Sequence, residues 1–333
     1  MMHQYVTAFR AMGCWFHVWL ATGEDGGALL RQVPGWVEAW ENSFSRFRPE
    51  SELSRLNASA GQWVTVSPDL LDVVLVALDV AQFTDGLVTP LVLPALMAAG
   101  YDRSFERLQA RQSADLPRFA LSVPDWQSVE VDVSCAGVYL PPATRIDLGG
   151  VAKGWTAEAI ADRLEAFGPC LVDAGGDIVA RGCPPGQEGW PVIVADPWGA
   201  PPDAPLPEET VGLLTLCVRD RAVATSGIDY RRWWRGGRMQ HHLIDPRTGA
   251  PAETDLLSAT VIARDADRAE GCAKALMILG SEAGLDWFLQ NDLPDSAALV
   301  VRQDGAVLAT ESLAAYRLAP VERGCEVDRT QLL

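Results

Sequence analysis

Three segments gather the residue types that hold or move charged groups: Arg145–Lys153, Ala224–Gly227 and His242–Gly249. In the first, two glycines lie between an apolar run and a helical pattern, and a lysine follows. Gly149 and Gly150 let backbone approach a ligand closely, the helix offers free N–H groups, and Lys153 adds a mobile positive charge suited to a pyrophosphate. The spacing matches neither GxxxxGK[ST] nor GxGxxG, so neither Walker nor Rossmann mechanics apply, and an ordinary strand-to-helix turn would share it. In the third segment His242 is a side chain that exchanges a proton near neutrality, while Asp245 either orients it or starts the turn at Pro246. Ala224–Gly227 ends an apolar run with two hydroxyls and a glycine, which suits a phosphate or ribose oxygen, or simply a hydroxyl-capped turn. Ser226 is not in a GxSxG elbow, which argues against a nucleophilic serine.

A net charge of −17 over 333 residues repels phosphate backbones and makes nucleic acid an unsuitable partner. An anionic dinucleotide then needs a local device: oriented N–H groups, a Lys or Arg, or a bound cation. Seven scattered cysteines, with no CxxC pair and no His at ligand spacing, read as reduced structural thiols. No run approaches the roughly 18 apolar residues of a membrane helix, and the first residues lack an apolar leader, so the expected location is cytoplasmic.

The elements that must position these residues follow from periodicity. Cys14–Leu20 reads as a strand, the apolar steps from Leu29 to Phe44 as a helix, and Ser67-Pro68-Asp69 as the start of a helix running to Phe83. Val88–Tyr101 reads as a short broken helix, Ser104–Pro117 as a surface excursion, and Val129–Val133 and Val138–Leu140 as strands. Arg145–Leu148 is predicted to end a strand, with a helix over Ala152–Phe167. Strands are predicted on both sides of the Asp173–Asp177 turn and at Pro191–Ala195, Val211–Val218, Ala222–Thr225, Leu257–Ile262, Ala297–Val301 and Ala306–Ala309. Pro197–Glu209 reads as a loop, and Ala266–Leu279 and Ser281–Gln290 as helices. With no repeat and no linker, the fold class is α+β: a single interwoven mixed body with antiparallel or mixed sheets over residues 1–312, and a tail from 313 to 333.

Taken in order, these segments resemble the FAD:protein FMN transferase (ApbE-like) family. The matching residues are Met12-Gly13, Ser45–Phe47 with Ser51–Asn57, Asp147–Gly154, Gly175–Asp177, Ser226-Gly227 and His242–Gly249. The resemblance spans about Phe9 to Gly280. It implies an enzyme that binds FAD with a divalent cation, moves FMN to a Ser or Thr hydroxyl of an acceptor protein, and releases AMP. On that resemblance, Lys153, Asp147, Gly149, Gly150, Gly176 and His242 belong to the cofactor site, Met12 and Ser226 line it, and His242, Asp245 and Lys153 are the catalytic candidates.

The resemblance also implies a Mg²⁺ site made from the Ala152 carbonyl and an Asp and a Thr four residues apart on a late helix. Here those two positions hold Glu270 and Lys274, and an ammonium cannot ligate a metal. Lys274 is thereby a candidate charge substitute, or half of an inert helix salt bridge. Thr89-Pro90-Leu91 and Met12-Gly13-Cys14 depart from the family pattern too. Alternatives to transfer are an FAD-binding protein or FAD pyrophosphatase without an acceptor, and a non-catalytic interaction scaffold using some of the 12 tryptophans.

Overall fold

The computed structural model describes residues 2–109, 121–199, 212–291, 293–318 and 330–332. It opens on a hairpin, β1 (His3–Ala11) and β2 (Cys14–Thr22), turned by Met12 and Gly13 at φ of 49° and 70°. Positive φ at both central residues matches the right-handed twist of the two strands. Helices α1 (Gly26–Leu30), α2 (Val33–Phe44) and α3 (Glu52–Ala58) follow, then β3 (Trp63–Thr65) and α4 (Pro68–Phe83). Ser67 caps α4 by accepting from the Leu70 N–H at 3.3 Å, and Pro68 opens it, as the sequence predicts. Short helices α5 (Leu93–Ala98) and α6 (Phe105–Gln109) lead to β4 (Glu130–Asp132) and β5 (Gly137–Tyr139), which join β3 in a small sheet.

The second half carries α7 (Ala152–Leu164), β6 (Cys170–Ala174), β7 (Asp177–Arg181), β8 (Trp190–Ala195), β9 (Gly212–Val218) and β10 (Arg221–Gly227). Two ribbons come next, β11 (Arg232–Arg235) with β12 (Arg238–His241), and β13 (Ile244–Asp245) with β14 (Ala250–Pro251). The chain continues with β15 (Leu256–Ala263), α8 (Ala266–Leu279), α9 (Ser281–Gln290), β16 (Ala297–Arg302), β17 (Val307–Ala309) and β18 (Thr330–Leu332). Among the described residues, nine strands form one sheet in the order β1-β2-β6-β7-β10-β15-β16-β17-β18, antiparallel except for the β17–β18 pair.

One face of this sheet packs on helices: Phe16, Val18 and Leu20 of β2 share a core with Val37 and Trp40 of α2, Ile160 of α7 and Leu276 of α8. The other face packs on the β8–β9 hairpin through Leu171, Val223, Trp190, Val192 and Leu216. Every residue of β15 is therefore buried, which fits its small and apolar side chains, only Ser258 and Thr260 being polar. The architecture is the expected mixed α+β body. Leu313, at the start of the expected tail, is buried in the second core. Most of the expected Pro197–Glu209 loop, and the Ser104–Pro117 excursion beyond Gln109, lie outside the described residues, as does Cys325.

The segment before the glycine pair differs from expectation. Arg145–Leu148 forms no strand, because its polar backbone groups bond elsewhere. The Ile146 N–H donates to Asn57 Oδ1 at 2.8 Å, the Ile146 carbonyl accepts from Asn57 Nδ2 at 2.9 Å, and the Asp147 N–H donates to the Pro90 carbonyl at 2.8 Å. The side chain of Asn57 thus takes the place of a neighbouring strand. Substituting Asn57→Ala leaves both Ile146 groups unpaired and is expected to cost about 1–3 kcal/mol, measured as a lowered urea midpoint at unchanged m.

Candidate functional site

A cavity of about 940 Å³ opens between the α7 end of the sheet and the loops that cross it. Its walls include Met12, Asp147, Gly149, Gly150, Ala152, Lys153, Gly176, Ser226, His242, Glu270 and Lys274, so eleven of the twelve residues singled out by sequence meet in one place. That volume is at the upper end for small-molecule sites and suits a large ligand. Asp245 is the exception. It is buried but not part of the wall: Oδ1 accepts from the Arg247 N–H at 2.9 Å and Oδ2 from the Arg247 guanidinium at 2.8 Å. Its described hydrogen bonds are those of the turn, to the Arg247 N–H and guanidinium.

The glycine turn is fixed from two sides. Asp147 accepts from the Gly149 N–H at 2.9 Å and pairs with Arg46 Nε at 2.5 Å, and Arg46 also donates to the Tyr101 carbonyl at 2.9 Å. No side chain caps the start of α7, so its positive end faces the cavity beside Ala152 and Lys153. The Lys153 ammonium donates to Asp177, a buried carboxylate at the start of β7. Burial pushes the Lys153 pKa down, while Glu270 and Cys14 pull it back up. Gly176, at φ 92°, makes the turn from β6 to β7 and donates its N–H to Asp173 at 2.8 Å. That φ is easy only for glycine.

His242 follows the β12 strand and is partly buried, with its Nδ1 enclosed and without a hydrogen-bond partner. Burial first, then neighbouring Arg231, His241 and Lys274, hold its pKa well below the ordinary 6.5. An imidazole held in that direction stays in its neutral form at physiological pH and can accept a proton. Ser226 sits near the end of β10, buried, opposite Ala259 of β15. Met12, at the tip of the first hairpin, lies against Thr156, whose hydroxyl contacts its sulfur at 3.7 Å.

Arg46, Asp177 and Arg231 also line the wall and were not among the sequence candidates. Arg46 belongs to the Ser45–Phe47 motif, which signalled it without assigning a role; Asp177 closes the Gly175–Asp177 motif. Arg231 had only its place in an Arg-rich stretch to mark it.

Glu270 and Lys274 lie one turn apart on α8, with Nζ 3.3 Å from Oε1. Glu270 is 1% exposed and its Oε2 has no partner. These residues do not fit a Mg²⁺ ion. Of the two side chains at the positions the resemblance gives to the metal, one is an ammonium, which cannot ligate Mg²⁺, and it already pairs with the other, Glu270. Among the described residues, no group of three or more His, Cys, Asp or Glu side chains is placed to hold a metal.

The fold and the cavity define an α+β protein that gathers local positive charge around one large ligand site despite an acidic body. The ApbE family pattern matches residues 12–300, and the chain belongs to that family. It is 31% identical over 305 residues to the FAD:protein FMN transferase of Treponema pallidum, covering 86% of this chain and 80% of that one. The FAD:protein FMN transferase of Vibrio cholerae is 27% identical over 285 residues, covering 84% and 81%. The crystal structure of the ApbE protein from Thermotoga maritima superimposes with a TM-score of 0.81 at 24% identity, covering 95% of this chain and all of that one, which shows a shared fold. Among the described residues no helix is long and apolar enough to cross a membrane.

Proposed function

We propose that this chain transfers the FMN half of FAD to a Ser or Thr hydroxyl of an acceptor protein and releases AMP. The observation that carries the reading is the convergence of the glycine turn, Lys153 and the neutral His242 on one cavity in a chain of the ApbE family. The diphosphate would lie against the Gly149–Gly150 turn and the start of α7, within reach of Lys153. Such attack needs alignment and charge neutralisation more than a covalent intermediate. His242 takes the proton from the acceptor hydroxyl as its oxygen forms a bond to the FMN phosphorus. The bond from that phosphorus to the bridging oxygen breaks, and AMP leaves with the electron pair. Met12, Gly176 and Ser226 line the walls around the nucleotide. No step runs through a metal, and Asp245 supports the His242 loop without touching the substrate.

The unit with this activity is read as residues 1–312, working in the cytoplasm on a protein partner; its −17 charge argues against nucleic acid. Incubation with FAD and a candidate acceptor protein is expected to leave fluorescent flavin on the denatured acceptor band, with AMP in equal amount. Exchange of the acceptor's Ser or Thr for Ala abolishes the label. AMP and free FMN without label would point instead to hydrolysis of FAD.

A further inference from the structure

The disagreement between the α8 residues and a divalent cation has a direct physical reading. Lys274 is largely buried, its side chain 13% exposed, and both it and Glu270 face the cavity. A methyl group on Gly150 would lie 3.5 Å from Lys274 Cε, so the lysine stem runs alongside the glycine turn. A methyl group on Gly154 would come within 2.5 Å of Glu270 Oε2, so the carboxylate is pressed against the first turn of α7. Lys274 is close enough to both Lys153 and His242 for its charge to act on each. Glu270 therefore holds an ammonium at the junction of the glycine turn, Lys153 and His242, where the family places its cation.

We infer that the Lys274 ammonium, fixed by Glu270, takes the place of the divalent cation, so that this chain binds the diphosphate of FAD without Mg²⁺. The inference rests on the FAD reading above and refines it. An ammonium gives one positive charge and up to three N–H donors, which suits phosphate oxygens but cannot replace a metal-bound water. The unpartnered Glu270 Oε2 is the one atom that speaks for the opposite outcome, a metal seated between it and the Ala152 carbonyl.

Titration of the full chain with FAD, followed by flavin fluorescence in excess EDTA and in excess MgCl₂, decides between them. Equal affinity in the two conditions is expected. Lys274→Met is expected to weaken binding about 10- to 100-fold in EDTA, the loss of a charge-assisted contact. The double variant Glu270→Asp with Lys274→Thr, which restores the family's oxygen pair, is expected to bind FAD only when Mg²⁺ is present. Wild-type affinity that rises about tenfold or more with Mg²⁺ overturns the inference while leaving the transfer reading in place. Absence of FAD binding in both conditions removes both.

Discussion

Exchange of His242 for alanine is expected to lower kcat for flavin transfer by about 100- to 10,000-fold, the usual contribution of a positioned general base. FAD affinity should change little, because the imidazole's role is toward the hydroxyl and not the diphosphate. The pH profile separates this from a structural role. The folded-state pKa of His242 is depressed well below 6.5 by burial and neighbouring cations, so the free base is present through neutral pH and is lost only as pH falls through that lower value. The acid limb of kcat/KM, which reports the free enzyme, is therefore expected below the ordinary histidine range. A limb at or above 6.5 would contradict the assignment. The same shift makes folding less favourable as pH drops below 6.5, since the unfolded chain takes up the proton first.

A second large effect is expected at Lys153. In Lys153→Met the Asp177 carboxylate, 3% exposed, is left buried without its ion pair, at a cost of about 3–5 kcal/mol in stability. FAD binding should also fall about 10- to 100-fold through loss of the charged donor. These two consequences can be pulled apart. The double variant Lys153→Met with Asp177→Asn removes the stranded charge and should recover much of the stability in urea titrations, yet not the affinity. Recovery of FAD binding in the double variant would show that Lys153 acts only by holding Asp177.

Much of this arrangement was legible in sequence, for reasons that are local. Ser67-Pro68-Asp69 writes its own helix start, the limits of α8 and α9 fall where the periodicity begins and ends, and the two glycines before Gly154 announce a turn into a helix. What escaped depends on partners distant in the chain. β1 carries a weak pattern because it pairs only with β2 at the sheet edge and stays half exposed. The β11–β12 ribbon turns at Gly236-Gly237, with φ of 53° and 69°, a legible hairpin signal set among arginines and tryptophans that drew the reading toward charge. Arg145–Leu148 looked like a strand end because its alternation is correct, and only the fold shows that Asn57, 89 positions earlier, satisfies its backbone.

The site divides along the same line. The residue types and the order of the motifs pointed to one cavity, and the cavity gathers them. Pairing was hidden: Arg46 with Asp147 joins the segment just after α2 to the segment before α7, and Lys153 with Asp177 joins α7 to β7, contacts only the fold brings about. Asp245 shows the converse. Its sequence neighbourhood allowed either orientation of His242 or turn formation, and in the fold both its carboxylate oxygens are held by Arg247.

The seat of the diphosphate is tested most directly by a crystal structure of the protein soaked with FAD in EDTA. The expected density places both phosphates against the Gly149–Gly150 turn, within hydrogen-bonding distance of Lys153 and Lys274. A diphosphate bound elsewhere in the cavity, or no flavin density at all, would contradict that arrangement.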